Sequence, residues 1–279
     1  MRQKSYDGTN SLYLIPTPVG NMDDITKRAL DTLKMVDLIL CEDTRVTSEL
    51  LRKFNIKKKL IHCDDHNEND LKQKILEKLN DGLNIGLVTD RGTPIISDPG
   101  YKIVQFISKN GYNVISLPGP TAFVPALTMS GINPAPFLFY GFLNSKESRR
   151  VKELESLKKL PYTIILYEAP HRIYDMLKSL LEVFGNRRIA LCREISKKYE
   201  EVIRGTLEEV LEIADTLKGE MVVVVEGNLQ QEDFSTMTVL EHINLYLEDG
   251  MTEKEAIKKV AIERDVPKSV IYREYHINN

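Results

Sequence analysis

The residues best suited to chemistry fall in short turns between apolar segments. Glu42-Asp43-Thr44-Arg45 sets two carboxylates beside a guanidinium. Tyr167-Glu168-Ala169-Pro170-His171-Arg172 gathers a carboxylate, an imidazole and a guanidinium in one turn. A carboxylate or imidazole can take a proton from an acceptor hydroxyl, and arginine holds phosphate in a two-point fork that lysine lacks. Thr89–Gly100 (TDRGTPIISDPG) supplies Asp90 and Thr93, which suit the amino and carboxylate groups of a small zwitterion. Pro16–Asn21 (PTPVGN) and Pro118–Ala122 (PGPTA) are proline-fixed loops that leave backbone amides and carbonyls free to address a ligand. His66-Asn67-Glu68 adds one more polar turn. Each turn also has a plainer explanation: loops are polar, and Pro170 with Glu168 is what a helix N-terminus favours.

Other chemistries fit poorly. No GxGxxG follows the first strand and no GxxxxGK[ST] occurs, which speaks against nicotinamide enzymes and P-loop nucleotidases. His62 and His66 have the spacing of two metal ligands on a helix, but Leu60–His62 reads as a strand end, so no metal is expected. Cys41, Cys63 and Cys192 lie far apart with no CxxC, as suits a reducing compartment.

The elements that must position these turns alternate. Strands are expected at Leu12–Ile15, Val36–Leu40, Leu60–His62, Asn84–Thr89 and Asn113–Leu117. Helical patterns lie between them, at Ile25–Leu33, up to about Phe54, at Leu71–Leu79 and at Ile103–Ser108. Such alternation is the signature of a parallel sheet covered on both faces, whose ligands bind outside the carboxyl ends of the strands. The unusual turns cluster at those ends and describe one concave rim. A second block follows: strands Phe137–Tyr140, Tyr162–Tyr167, Arg188–Cys192, Glu201–Arg204 and Met221–Val225, with helices Lys146–Leu160, Arg172–Val183 and Leu207–Ala214. Gly227–Ser235 reads as a linker. The fold class is therefore α/β, with a division into a frayed N-terminus (1–11), a first α/β domain (12–122), a second (123–227) and a small helical extension (236–279).

The chain has 279 residues, 42% apolar and 28% charged, with 38 Lys+Arg against 41 Asp+Glu and a net charge of −3. That balance argues against coating nucleic acid or membrane by bulk charge. Basic segments are local: five cations in Arg52–Lys59, and six against three acids in Lys146–Lys159. They fit docking on RNA better than general adhesion to it. The longest aliphatic run, Met221–Val225, is far short of a membrane helix. The first ten residues have no apolar core, so no secretory signal is expected.

Nine motifs in order, PTPVGN, CEDTR, DDHNE, TDRGTPIISDPG, LPGPTA, GFL, YEAPHR, REISKKYEE and RGT, resemble those of the small-subunit ribosomal RNA methyltransferase I group of the tetrapyrrole methylase superfamily. The resemblance covers Leu12 to Gly227, and the tail is similar to the group's helical extension. It implies two α/β domains of the tetrapyrrole methylase type with a cofactor cleft between them. It implies transfer of a methyl group from S-adenosylmethionine to the 2′-hydroxyl of a cytidine ribose in small-subunit (16S) RNA. It also implies a cytoplasmic homodimer with no membrane or DNA partner. By position, cofactor contacts fall on Pro18, Asp90, Thr93, Thr121, Ala122 and Tyr167. The group usually has Ala where this chain has Arg91, a cation that either crowds the methionine end of the cofactor or turns outward to RNA phosphate.

Methyl transfer from a sulfonium is an in-line displacement from an activated donor, so alignment matters most. Candidate bases are Glu42, Asp43, His66, Glu68, Glu168 and His171, with Arg45 and Arg172 for flanking phosphates. The Glu42/Asp43/Arg45 turn and the YEAPHR turn are expected to face each other across the cleft. In the tail, Ala256, Val260, Ala261, Pro267 and Val270-Ile271-Tyr272 resemble a small helix-turn-helix unit that holds RNA or a second subunit, or else a helical cap. Competing functions are a methylase acting on a corrin-like ring or a diphthine-type protein, and a non-catalytic ribosome-assembly factor that binds RNA.

Overall fold

The computed structural model describes residues 3–5, 7–229 and 237–277. They form two compact units, one ending at Gly227 and one beginning at Asn228. The first unit contains two five-stranded sheets.

The first sheet is built from β1 (Ser11–Leu14), β2 (Leu38–Cys41), β3 (Lys59–His62), β4 (Ile85–Leu87) and β5 (Asn113–Ser116). Their order is β3-β2-β4-β1-β5, and every pairing is parallel. Helices α1 (Lys27–Met35), α2 (Thr44–Lys53), α3 (Glu68–Asn80) and α4 (Tyr101–Lys109) connect the strands. A parallel sheet is buried on both faces, so its central strands read as unbroken apolar runs. All four residues of β2, LILC, are indeed buried. Leu38, Leu40, Leu12 and Ile85 join one core with Ile75, Ile103 and Ile107, whereas Ile39 joins another with Ile15, Leu33 and Val88. The alternation of adjacent residues between faces is the period-2 rule of a strand. The segment ahead of β1 meets the sheet edge: Gln3 exchanges two hydrogen bonds with the Val114 backbone, and Asn113 donates to Asp7.

The second sheet combines β6 (Phe137–Phe142), β7 (Thr163–Glu168), β8 (Arg188–Arg193), β9 (Glu201–Thr206) and β10 (Met221–Val225), in the order β6-β7-β10-β8-β9. Only β6 and β7 run parallel; the other pairs are antiparallel. The five residues of β10, MVVVV, are all buried, because this last strand inserts at the centre between β7 and β8. Helices α5 (Phe123–Met129), α6 (Glu147–Leu157), α7 (Ile173–Phe184) and α8 (Leu207–Leu211) complete the unit. Two residues of the basic segments expected to dock on RNA make structural contacts. Arg150 is buried and donates to Ser179 and to the Ser145 carbonyl. Lys58 caps α1 by donating to the Lys34 and Val36 carbonyls.

Among the described residues the second unit has three helices, α9 (Val239–Glu248), α10 (Glu253–Glu263) and α11 (Lys268–Ile277). Thr238 with Glu241, and Thr252 with Glu255, close capping boxes that fix the first two helix starts. Ala256, Val260, Ala261 and Ile271 lie in its core, while Val270 and Tyr272 are exposed. His242 is fully buried and meets Glu263 at 3.0 Å and Arg264 at 3.1 Å. Most of the expected linker, residues 230–235, lies outside the described residues.

Candidate active site

The parallel sheet brings the carboxyl ends of β1, β2, β4 and β5 to one edge, so their following loops must converge. Backbone bonds lock them together. Thr17 and Gly92 exchange amide–carbonyl bonds of 2.9 and 3.0 Å. The Thr17 hydroxyl donates to the Thr89 carbonyl at 3.0 Å, and the Thr93 hydroxyl to the Pro120 carbonyl at 2.9 Å. The Asp43 amide donates to the Asp90 carboxylate at 3.1 Å. The loop from Thr89 to Gly100 is bent by two non-glycine residues in the left-handed region, Ile95 (φ 77°) and Ser97 (φ 67°). A β-branched residue held there is an outlier of the kind that collects at functional loops. Gly100, at φ 121°, has no such freedom to change: a Cβ would sit 2.6 Å from Leu87 Cδ2.

These loops form one wall of a cavity of about 540 Å³. The other wall comes from the second sheet, where β7 ends at Glu168 directly opposite Met221, the start of β10. Of the residues singled out by sequence, Glu42, Asp90, Thr93, Thr121, Ala122, Tyr167 and Glu168 line the cavity. Pro18 lines an adjoining cavity instead. Of the charged side chains in the two turns expected to face each other, only Glu42 and Glu168 line the shared space, with Tyr167, Ala169 and Pro170 beside Glu168. Asp43 caps α2 through the Arg45 amide at 2.8 Å and pairs with the Arg45 guanidinium at 2.6 Å. That guanidinium beside it holds the Asp43 carboxyl down at about 2. His171 is exposed in the turn after β7, which continues into α7. Arg172 turns back: its Nη2 donates to the Leu143 carbonyl at 2.8 Å and lies 3.2 Å from Glu168 Oε2.

The cavity is rich in carboxyl groups whose charge is disfavoured. Burial raises Glu42, and the Asp90 charge raises it further. Burial likewise raises Asp90. Asp98, which no motif reading singled out, is the most displaced: burial pushes it up to about 7, with the charges of Glu42 and Asp90 adding to the effect. Its only sequence signal was membership of the TDRGTPIISDPG loop. The Thr89 hydroxyl lies buried beside Glu42 and Asp98 yet completes no hydrogen bond of ordinary geometry. Glu168 is buried; its Oε1 accepts from the Ala169 amide at 2.8 Å, and burial raises its pKa against the opposing pull of that amide and Arg172. Its Oε2 also lacks a hydrogen bond. The apolar part of the lining includes Phe142, Ile195, Met221 and Val222. Tyr167 packs edge-on against Phe139 and Phe142, with centroids 5.0 and 5.5 Å apart. With five acids against one arginine in its lining, and apolar in part, the cavity suits a cationic ligand with a flat hydrophobic portion.

Comparison with known proteins points the same way. The family model of tetrapyrrole (corrin/porphyrin) methylases matches residues 11–211. The chain is 48% identical to a protein of Bacillus subtilis (strain 168) named ribosomal RNA small subunit methyltransferase I, over 99% of this chain and 98% of that one. It is 43% identical to a protein of the same name from Halalkalibacterium halodurans, over 98% of each. Among solved structures it is similar to uroporphyrin-III C-methyl transferase from Thermus thermophilus complexed with S-adenyl homocysteine. That likeness has a TM-score of 0.56 at 18% identity and covers 78% of this chain and 97% of the other.

Proposed function

The chain belongs to the tetrapyrrole methylases, and from that premise we propose that it methylates small-subunit ribosomal RNA, at the 2′-hydroxyl of a cytidine ribose, with S-adenosylmethionine as donor. The observation that carries this reading is the cavity between the sheets, where Glu42, Asp90, Asp98, Glu168 and Glu220 surround one space. S-adenosylmethionine is a cation with a planar base, and such a lining suits both parts. The Thr89 hydroxyl and Glu168 Oε2, neither of which completes a hydrogen bond of ordinary geometry, are groups a polar ligand would satisfy.

When bound, the donor supplies an activated methyl group whose transfer needs no metal. The protein supplies the rest. Asp90 and Asp98 would hold the positive end, where a cation offsets the burial that raises both carboxyls. Thr121 and Ala122, in the loop after β5, and Tyr167, on β7, line the cavity from its two walls. Glu168 receives the proton that the ribose hydroxyl loses. Its burial weakens it as an acid, which makes it a better base than a solvated carboxylate. Arg172 orients Glu168 and is itself fixed by the Leu143 carbonyl. Holding donor and acceptor in line is worth roughly 7–11 kcal/mol of a barrier.

The same reading divides the α/β body near residue 122, takes assembled small subunits as acceptor, two copies of the chain as the working unit and the cytoplasm as its place. Among the described residues no helix is long and apolar enough to cross a membrane. The three-helix unit, with its Arg264–Pro267 turn between α10 and α11, serves as an RNA or subunit contact in this account. Nucleoside analysis tests it. Small-subunit RNA from cells lacking this activity, incubated as subunits with enzyme and donor, should gain 2′-O-methylcytidine. A base-methylated nucleoside would overturn the ribose assignment.

A further inference from the structure

Arg91 follows Asp90 in the loop after β4, and its guanidinium reaches across to the second sheet, where it pairs with Glu220 Oε1. The other oxygen of the same carboxylate accepts from Lys197 at 3.0 Å, and Lys197 also donates to Glu194 at 2.9 Å. Two cations therefore converge on one carboxylate, one oxygen each. The Arg91 and Glu220 side chains are 50% and 57% exposed, so the pairing contributes little stability. Another oxyanion of the same shape can take the place of Glu220 at small cost.

That clasp borders a second cavity of about 440 Å³, within the size range of small-molecule sites. Arg91 and Lys197 both line it. It adjoins the first cavity through Val19, Val46, Asp90 and Arg91, which line both. Met22 and Val46 present apolar surface there at 37% and 41% exposure, which suits the face of a base. Glu49 and Asp90 line the same cavity, so its two cations are set against two acids.

We propose that Arg91 and Lys197 form the phosphate clasp for the RNA acceptor, with Glu220 as the internal anion that holds the clasp in place until RNA displaces it. A phosphodiester offers two non-bridging oxygens, as the Glu220 carboxylate does, and the arginine fork matches it. This rests on the RNA methyltransferase reading above. It makes Arg91, which borders both cavities, a positioning residue for the acceptor.

The test is equilibrium binding of unmodified small ribosomal subunits to the full chain with S-adenosylhomocysteine present, from 50 to 200 mM salt. Donor affinity is measured beside it by calorimetry. Arg91→Ala should weaken subunit binding roughly tenfold at the low-salt end. It should also reduce the slope of log K against log salt by about 0.7–0.9, the loss of one phosphate contact. Glu220→Gln releases Arg91 from its ion pair, leaves Lys197 on Glu194, and should tighten binding roughly threefold. Arg91→Lys keeps the charge and should keep the slope. If Arg91→Ala and Glu220→Gln instead weaken binding alike with an unchanged slope, the network is only a strap between the sheets and the proposal fails. It fails equally if Arg91→Ala costs donor affinity as much as subunit affinity. Wild-type protein that does not bind subunits at all would overturn the parent reading and this one with it.

Discussion

Replacing Asp98 by asparagine should stabilise the free protein and weaken its grip on the donor. In the free protein burial displaces the Asp98 carboxyl from 3.8 to about 7. The folded state therefore holds a proton that the unfolded chain has already lost, and stability falls as pH rises from about 4 to about 7, then levels off. Three units correspond to roughly 4 kcal/mol at 1.36 kcal/mol per unit. Solvent at the cleft mouth screens part of that, so about 2 kcal/mol is the working figure. Asparagine carries no charge to desolvate. Its advantage over aspartate should grow by about 1.5 kcal/mol between pH 5 and pH 8, about 3–5 °C in melting temperature for a chain of this size. Donor binding should show the opposite preference. A cationic ligand draws Asp98 back to its ionised form, so wild-type affinity should climb with pH up to about 7, by as much as tenfold per unit, and flatten above it. Calorimetry in two buffers of different ionisation enthalpy should register a proton released near pH 6, and Asp98→Asn should lose both the release and the climb. Equal melting shifts at pH 5 and pH 8, or a wild-type affinity flat from pH 5 to 8, would refute the reasoning.

Three further outcomes follow from the site. Glu168→Gln keeps the shape and the Ala169 contact but cannot take a proton. Turnover on subunits should fall at least roughly a hundredfold while donor affinity stays within threefold, whereas a fall in both would make Glu168 a cofactor contact. Asp43→Ala removes a helix cap and the Arg45 partner but no cavity wall. It should cost about 1 kcal/mol in urea unfolding and no more than a few-fold in turnover, and a hundredfold loss would restore Asp43 to the chemistry. Gly20→Ala would place a Cβ 2.5 Å from Lys197 Cγ and 2.9 Å from the Ile195 carbonyl. Overpacking of this kind should cost roughly 1–3 kcal/mol, and an unchanged melting curve would mean that the PTPVGN loop is free to move away.

What sequence made legible was the part governed by local pattern. Alternating apolar runs and amphipathic segments predict the parallel sheet, and with it the edge where Pro16–Asn21, Glu42, Thr89–Gly100 and Pro118–Ala122 meet. The same periodicity says nothing about pairing across the chain. The central place of β10 and the antiparallel run of the second sheet depend on long-range contacts between Met221–Val225 and both neighbours. Side-chain roles divide the same way. Asp43 and Arg45 had the right types for catalysis, yet at a helix start they satisfy each other and the backbone. Asp98 looked like one more polar loop residue, because burial, which sets its pKa, is a property of the folded cavity. Arg91 could crowd the cofactor or turn away, and only the opposing carboxylate of Glu220, 129 residues later, shows where it goes.

The central claim is that the acid-lined cavity presents a methyl donor to small-subunit RNA. The most direct measurement is label transfer from methyl-labelled S-adenosylmethionine, with unmodified small subunits, naked small-subunit RNA and a corrin-like ring offered as separate acceptors. The account predicts alkali-stable label in the ribosomal RNA of the subunits, and none in the ring. Label in the ring with none in either RNA acceptor would contradict it.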